Sequence, residues 1–132
     1  MMPLSESENL PDPLSERSWL SCPLHQQAVT LFNEKAYWNA HEAWEELWIA
    51  AGRRGPSADF LKALIKLAAA GVKEQAGNPI GVRRHARRAI ELLAPISSPR
   101  RYGLLVAHLR SLARFAEEHG RLPDAKHLVL GD

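Results

Sequence analysis

The residues best suited to chemistry lie in one short segment, residues 32–48. Within it, His41 and Glu45 are four positions apart, which places both side chains on one face of a helix. An imidazole and a carboxylate on a shared helix face are typical ligands of metal sites in helical proteins. Glu42 beside them is suited to the role of a base or an outer ligand. The segment is therefore a candidate metal site, with His41 and Glu45 as the ligands in a metal-binding protein or a hydrolase.

This pattern lacks the partners that known helical metal sites require. A zinc-protease motif has a second histidine at the position of Glu45, and a dinuclear carboxylate site has matching glutamates and histidines on other helices. Of the remaining histidines, His25 on the preceding helix is the candidate for a further ligand. We therefore expect neither a bound metal nor another cofactor, and His41 and Glu45 are the ligands if a metal does bind.

Two other interpretations of the segment remain open. Four side chains share one helical stripe that we expect to face the core: His41, Trp44, Glu45 and Trp48. Burying an imidazole or a carboxylate without a partner costs about 1–3 kcal/mol, so each needs one. The cluster is then either a structural one, paired with backbone, water, Asn33 or a lysine, or the polar floor of a small-molecule pocket. The walls of such a pocket would be Trp38, Trp44 and Trp48.

No signature of a catalytic site accompanies the cluster. The chain has no phosphate-binding glycine loop and no nucleophile elbow, and Cys22 has no evident base beside it. The catalytic residues are therefore unidentified, and the sequence leaves open whether the protein is an enzyme.

A second group of chemically distinctive residues forms a basic helix face. Its members are Arg83, Arg84, Arg87 and Arg88. They lie opposite the apolar Val82 and Ala86, and no aromatic residues are interleaved with them. We therefore expect a solvated face or a surface for an acidic partner, and we do not expect nucleic-acid binding.

Composition and charge place the protein in a broad class. With 132 residues, 45% of them hydrophobic, the chain is long enough for one domain with its own core. The lone Cys22 indicates a reducing, cytoplasmic location, since it has no partner for a disulfide. The longest apolar run, residues 67–72, is far shorter than the roughly 20 residues that cross a bilayer, so we expect no membrane contact. Trp38, off the His41 face, suggests self-association through a subunit interface.

Helical periodicity predicts a compact all-α bundle of about five helices and no sheet. The predicted helices cover residues 23–35, 37–51, 57–76, 79–94 and 99–119. Ser57 is the expected cap of the third helix and Asn78 that of the fourth, and the small residues in the middle of the third helix indicate that others cross it closely. We expect a loosely ordered leader over residues 1–20, in which Trp19 packs on the core, one domain over 21–120 and a tail over 121–132.

The chain resembles a bacterial and archaeal family catalogued as domain of unknown function 309. The resemblance covers about residues 24–94 and is carried by Phe32, Asn33, Tyr37, Ala40, His41, Glu42, Glu45, Trp48, residues 64–68, Gly77, Asn78 and Gly81. It implies a compact helical domain without an established activity. It also marks as site candidates Asn33, Tyr37, His41, Glu42, Glu45, Trp48 and Asn78.

The sequence departs from the family pattern at two positions on the third helix. Lys73 stands where family members often have a histidine, and Ala63 where a glycine is common. A protonated lysine is a poor metal ligand, so Lys73 argues against a metal shared between two helices. We expect it instead to form an ion pair with Glu45 or Glu42, and we include Lys73 in the candidate cluster.

Overall fold

The computed structural model describes residues 15–131, and helices make up about two thirds of this part of the chain. A short 3-10 helix, Trp19–Ser21, precedes five α-helices: α1 Pro23–Asn33, α2 Tyr37–Ala50, α3 Pro56–Gln75, α4 Pro79–Leu93 and α5 Val106–His119. The predicted all-α class is confirmed. Trp19 is buried, as expected, whereas residues 1–14 of the predicted leader lie outside the described residues.

Proline and glycine fix most of the helix boundaries. Proline occupies the first turn of α1, α3 and α4, where its missing N–H costs no hydrogen bond. The side chain of Asn78 caps α4 as predicted, accepting a hydrogen bond from the backbone N–H of Gly81 at 2.9 Å. The predicted cap at Ser57 is wrong, because α3 already begins at Pro56, directly after Gly55.

Helix α3 lies at the centre of the bundle and packs against both α2 and α4. Helix α1 packs on α2, and α5 packs on α4. Gly71 lets α2 approach closely, since a Cβ atom there would lie 2.4 Å from the ring of Tyr37. The prediction that small residues in this helix permit a close crossing is therefore confirmed. The largest fully buried side chains include Trp44, Tyr37, Phe32 and Phe60.

A two-stranded hairpin stands where the fifth helix was expected to begin. Strand β1, Arg100–Arg101, pairs antiparallel with β2, Leu104–Leu105, so α5 starts at Val106 and not near residue 99. The two turn residues, Tyr102 and Gly103, both have positive φ (51° and 79°), as in a type I′ hairpin turn. Strands of two residues are too short to show an alternating pattern, which is why the sequence did not reveal them.

The C-terminal tail is tied to the helices through Asn33. Its side-chain amide donates to the carbonyl oxygen of Leu128 at 2.8 Å, and its side-chain oxygen accepts from the Leu128 N–H at 2.7 Å. Glu74 on α3 accepts a further bond from the N–H of Leu122 at 2.6 Å. The tail therefore packs on the bundle. None of the helices in residues 15–131 combines the length and the apolar content that crossing a bilayer needs.

Candidate functional site

His25 is the fully buried histidine of the core, and both of its ring nitrogens are engaged. Nδ1 accepts a hydrogen bond from the indole N–H of Trp44 at 3.1 Å, and Nε2 donates to the carbonyl oxygen of Tyr102 at 3.0 Å. These two partners define the neutral tautomer with its proton on Nε2. Burial lowers the pKa of His25, although the bond to Tyr102 acts in the opposite direction. His25 is therefore a structural residue, and the suggestion that it is a metal ligand is wrong.

His41, by contrast, has a buried nitrogen without a partner. The side chain is only 18% exposed, and its Nδ1 atom is buried and makes no hydrogen bond to any of the residues 15–131. The nearest carboxylate oxygen, from Glu42, lies 3.9 Å away, which is beyond hydrogen-bonding distance. His41 and Glu45 are half-buried at the edge of the core, not inside it as expected. The protein atoms of residues 15–131 therefore leave this nitrogen of His41 without a hydrogen-bond partner.

Three potential ligand atoms converge at this edge of α2. One potential ligand atom from each of His41, Glu42 and Glu45 lies within 4.8 Å of the other two. Within residues 15–131, these three residues form the group whose composition matches a metal site. Since positions 41 and 45 are separated by about one helical turn, α2 itself brings their side chains together. The arrangement supplies one nitrogen and two carboxylate groups, which suits a divalent transition-metal ion.

Lys73 does not pair with the carboxylates of α2. Across the described part of the chain, no carboxylate oxygen comes within 4.0 Å of its ammonium nitrogen, so the predicted ion pair with Glu42 or Glu45 is wrong. Its aliphatic stem instead crosses the first turn of α4, where a Cβ on Gly81 would lie 2.8 Å from its Cγ atom. The side chain thereby lies beside His41 and His85.

A pocket of about 190 Å³ opens where α2, α3 and α4 meet. It is lined by Trp38, His41, Ala69, Val72, Lys73 and His85. Trp38 is 57% exposed and stacks on His41 with a ring separation of 5.1 Å and nearly parallel planes. The prediction that Trp38 lies off the His41 face is therefore wrong. Of the three tryptophans expected as walls, Trp44 is in the core, and Trp48 lies under Lys62 at 4.1 Å, outside this pocket.

Cationic side chains of α3 and α4 lie near the pocket. Burial lowers the pKa of His85, and the charges of Lys66, Lys73, His41 and Arg84 lower it further. Burial likewise lowers the pKa of Lys66, with added effects from Lys62 and Arg88. The sequence did not single out His85 or Lys66, because helical periodicity shows which residues share a face but not which neighbouring helix that face meets.

The remaining candidates lie apart from His41. Asn33 holds the tail and Asn78 caps α4, as described above. Tyr37 packs edge-on against Phe32 in the core, at 5.2 Å between ring centres, and its buried hydroxyl lacks a hydrogen-bond partner within residues 15–131. Burial, and then the charge of Glu74, raise the pKa of Tyr37, so the hydroxyl keeps its proton.

The basic face of α4 is exposed and divides into two halves. Arg87 binds the carboxylate of Glu117 at 2.9 Å, and Arg83 donates to the carbonyl oxygens of Glu117 and Glu118 at the end of α5. Arg84 is exposed next to His85, and Arg88 binds Glu91 on its own helix at 3.0 Å. The expectation of a solvated helix face thus agrees with the structure. Arg83 and Arg87 on this face also bind the end of α5.

These features define a small helical-bundle domain with a polar edge on α2 and a basic pocket next to it. Residues 25–85 match the model of the family described as "Domain of unknown function (DUF309)", so the chain carries this family's domain over that segment. The matched segment begins at His25 and ends at His85, and it includes the His41 cluster and every residue that lines the pocket. No curated protein matches the chain.

Proposed function

We propose that this domain binds a divalent transition-metal ion through His41, Glu42 and Glu45. The observation that carries the proposal is the buried Nδ1 atom of His41, which has no hydrogen-bond partner in residues 15–131 although carboxylates lie beside it. A buried polar atom without a partner costs about 1–3 kcal/mol, and a metal ion removes that cost by accepting the lone pair of the nitrogen.

The spacing of the ligand atoms suits such an ion. Two metal–ligand bonds of about 2.1 Å can join atoms up to ~4.2 Å apart. The distance of 3.9 Å between Nδ1 of His41 and the Glu42 oxygen falls within this span. The full group, spread over 4.8 Å, needs only a small rotation of an exposed glutamate side chain to close around the ion.

The ligand set also indicates the kind of metal and its coordination. One imidazole and two carboxylates suit Zn²⁺, Mn²⁺, Fe²⁺ or Co²⁺. They suit Mg²⁺ and Cu⁺ less well, because Mg²⁺ prefers oxygen ligands alone and Cu⁺ prefers thiolates. Three protein ligands leave at least one coordination position for water or a bound molecule, as in catalytic metal sites. This open position distinguishes the proposed site from a structural one.

Calorimetric titration of chelator-treated protein with Zn²⁺, Mn²⁺ and Co²⁺ tests the proposal. We expect one ion per chain, and for Co²⁺ a visible absorption spectrum typical of nitrogen and oxygen ligands. Glu45→Gln preserves the shape of the side chain but removes the charge, and it should weaken binding at least tenfold. Glu46→Gln on the exposed side of α2 is the matched control and should bind as the unchanged protein does.

Two results would contradict the proposal. One is the absence of saturable binding by the unchanged protein. The other is an affinity that falls equally in the Glu45 and Glu46 variants, because the ion would then respond to the overall charge of α2 and not to the cluster.

A further inference from the structure

The pocket beside His41 has a chemistry of its own, different from that of the carboxylate cluster. Glu42 and Glu45 approach His41 but do not line the pocket. The polar side chains that do line it are His41, Lys73 and His85, and each comes from a different helix. No acidic residue belongs to the lining, so the pocket combines a cation with imidazole rings and without a neutralising carboxylate.

The charge of Lys73 is uncompensated. Other cations of this region are paired within the described residues, such as Arg88 with Glu91 and Arg87 with Glu117. Lys73 has no carboxylate within 4.0 Å among residues 15–131, and the neighbouring Lys66 has none either. Cations that converge in a concave site with low-dielectric walls create a positive potential that attracts anions.

The position of Lys73 is also defined by its surroundings. Its Cγ and Cδ atoms lie over Gly81, at 2.8 and 2.9 Å from where a Cβ atom would stand, so any larger residue at 81 would displace the stem. Because Gly81 has no side chain, the stem of Lys73 has the space to cross α4 at this position and reach the pocket.

We propose that this pocket binds a small oxyanion, a phosphate or carboxylate group, through the ammonium group of Lys73 and a ring N–H of His85. Such charge-assisted hydrogen bonds are about twice as strong as those between neutral groups. The volume of about 190 Å³ holds about six water molecules at ~30 Å³ each, which is room for one oxyanion and a few attached atoms. The exposed face of Trp38, opposite His41, offers a planar apolar group of the ligand a surface to stack on.

NMR titration of the full chain with inorganic phosphate, acetate and phenyl phosphate tests this inference. The protein is first freed of metal ions on a chelating resin and the ionic strength is held constant, so the result does not depend on the proposed metal site. We expect saturable shifts of the Trp38 indole and His85 ring signals. Stronger binding of phosphate than of acetate assigns a phosphate ligand, and the reverse assigns a carboxylate. Tighter binding of phenyl phosphate than of inorganic phosphate assigns the stacking role to Trp38.

Substitutions at two lysines on the same face of α3 distinguish binding in the pocket from attraction by the overall positive charge. Lys73→Met should weaken binding at least tenfold, whereas Lys73→Arg should retain most of it. Lys62→Met removes an equal charge next to Trp48, outside the pocket, and should change the affinity less than twofold. Because the lysine stems are partly exposed, we expect all three variants to fold.

The inference is overturned if the shifts grow linearly without saturation, or if Lys73→Met leaves them unchanged. It is also overturned if Lys62→Met weakens binding as much as Lys73→Met does. That result would mean that the anion responds to the combined charge of the lysines of α3 and the arginines of α4. A short single-stranded oligonucleotide would then bind more tightly than phenyl phosphate.

Discussion

The indole N–H of Trp44 donates a hydrogen bond to Nδ1 of His25 across 3.1 Å, and this bond joins α2 to α1 inside the core. His25 in turn donates a hydrogen bond from its Nε2–H group to the carbonyl oxygen of Tyr102 in the hairpin turn. Three separate elements therefore meet at a single neutral imidazole. His41, on the same helix as Trp44, has no such arrangement, which is why the two histidines are assigned different roles.

Replacing Trp44 tests how much the His25 network stabilises the fold. Trp44→Phe keeps an aromatic ring but removes the donor, which leaves Nδ1 of His25 buried without a partner and a small cavity beside it. We expect the free energy of unfolding to fall by about 2 kcal/mol or more, measured by urea denaturation. The exposed Trp38→Phe is the control and should change stability by less than about 0.5 kcal/mol. Equal losses in both variants would contradict a special role for the bond.

The dependence of stability on pH follows from the lowered pKa of His25. Its pKa in the unfolded chain is about 6.5, and in the folded protein it is lower, so the unfolded state binds more protons between these two values. Stability from this residue is therefore complete above pH ~6.5 and is lost as the pH falls below it, by up to about 1.4 kcal/mol per pH unit for one proton. Urea denaturation between pH 7.5 and 5 measures this slope.

Single and double substitutions show which histidines contribute to the dependence of stability on pH. His85 also has a lowered pKa and acts in the same direction, so His25→Asn and His85→Asn should each flatten the profile and together flatten it most. A slope that persists in the doubly substituted protein would mean that other groups determine the acid sensitivity.

The close crossing of α2 and α3 depends on Gly71. Gly71→Ala would place a methyl group 2.4–2.6 Å from three ring atoms of Tyr37, and the helices would have to move apart. We expect a loss of about 1–3 kcal/mol, although alanine in a helix is otherwise favoured over glycine by about 0.5–1 kcal/mol. Combining it with Tyr37→Leu in a double-mutant cycle should recover part of the loss, and strictly additive losses would show that the clash is not between these residues.

The attachment of the tail depends on the side-chain amide of Asn33. Asn33→Leu removes both hydrogen bonds to Leu128, so we expect faster amide hydrogen exchange at Leu128 and faster tryptic cleavage after the buried Lys126. Asn39→Leu, at an exposed position on α2, is the matched control. Unchanged cleavage in the Asn33 variant would indicate that apolar packing of Leu122 and Leu128 holds the tail without these bonds.

The helices could be predicted from the sequence because their boundaries are marked locally. Asn78 followed by proline starts α4, and Gly120, with its positive φ of 71°, ends α5. The hairpin had no comparable signal, because its turn uses Tyr102 and Gly103 in place of the usual Asn-Gly pair. The ring of Trp19 packs against Gly103 in this turn, and although the sequence predicts that Trp19 is buried, it does not show this partner.

The candidate site was predicted only in part, for a related reason. The spacing of His41 and Glu45 on one helix is local, and the structure does bring their ligand atoms together with that of Glu42. The partners of Lys73 and His25 depend on how helices pack. Lys73 meets Gly81 and His85 on α4, not the glutamates of α2, and His25 meets a backbone oxygen 77 positions away. A single sequence without packing information does not contain these relationships.

The bonds between Asn33 and Leu128 have a mechanical consequence. They join the end of α1 to the chain beyond α5, so α2 to α5 all lie within one closed loop. Tension applied at residue 131 would load the hydrogen bond from Gly131 to Gly103 first and the two bonds at Leu128 next, ahead of the bond from Leu122 to Glu74 and of the end of α5. Because Leu128 contributes only backbone atoms to these two bonds, the attachment depends on the side chain of Asn33 and not on the side chain at position 128.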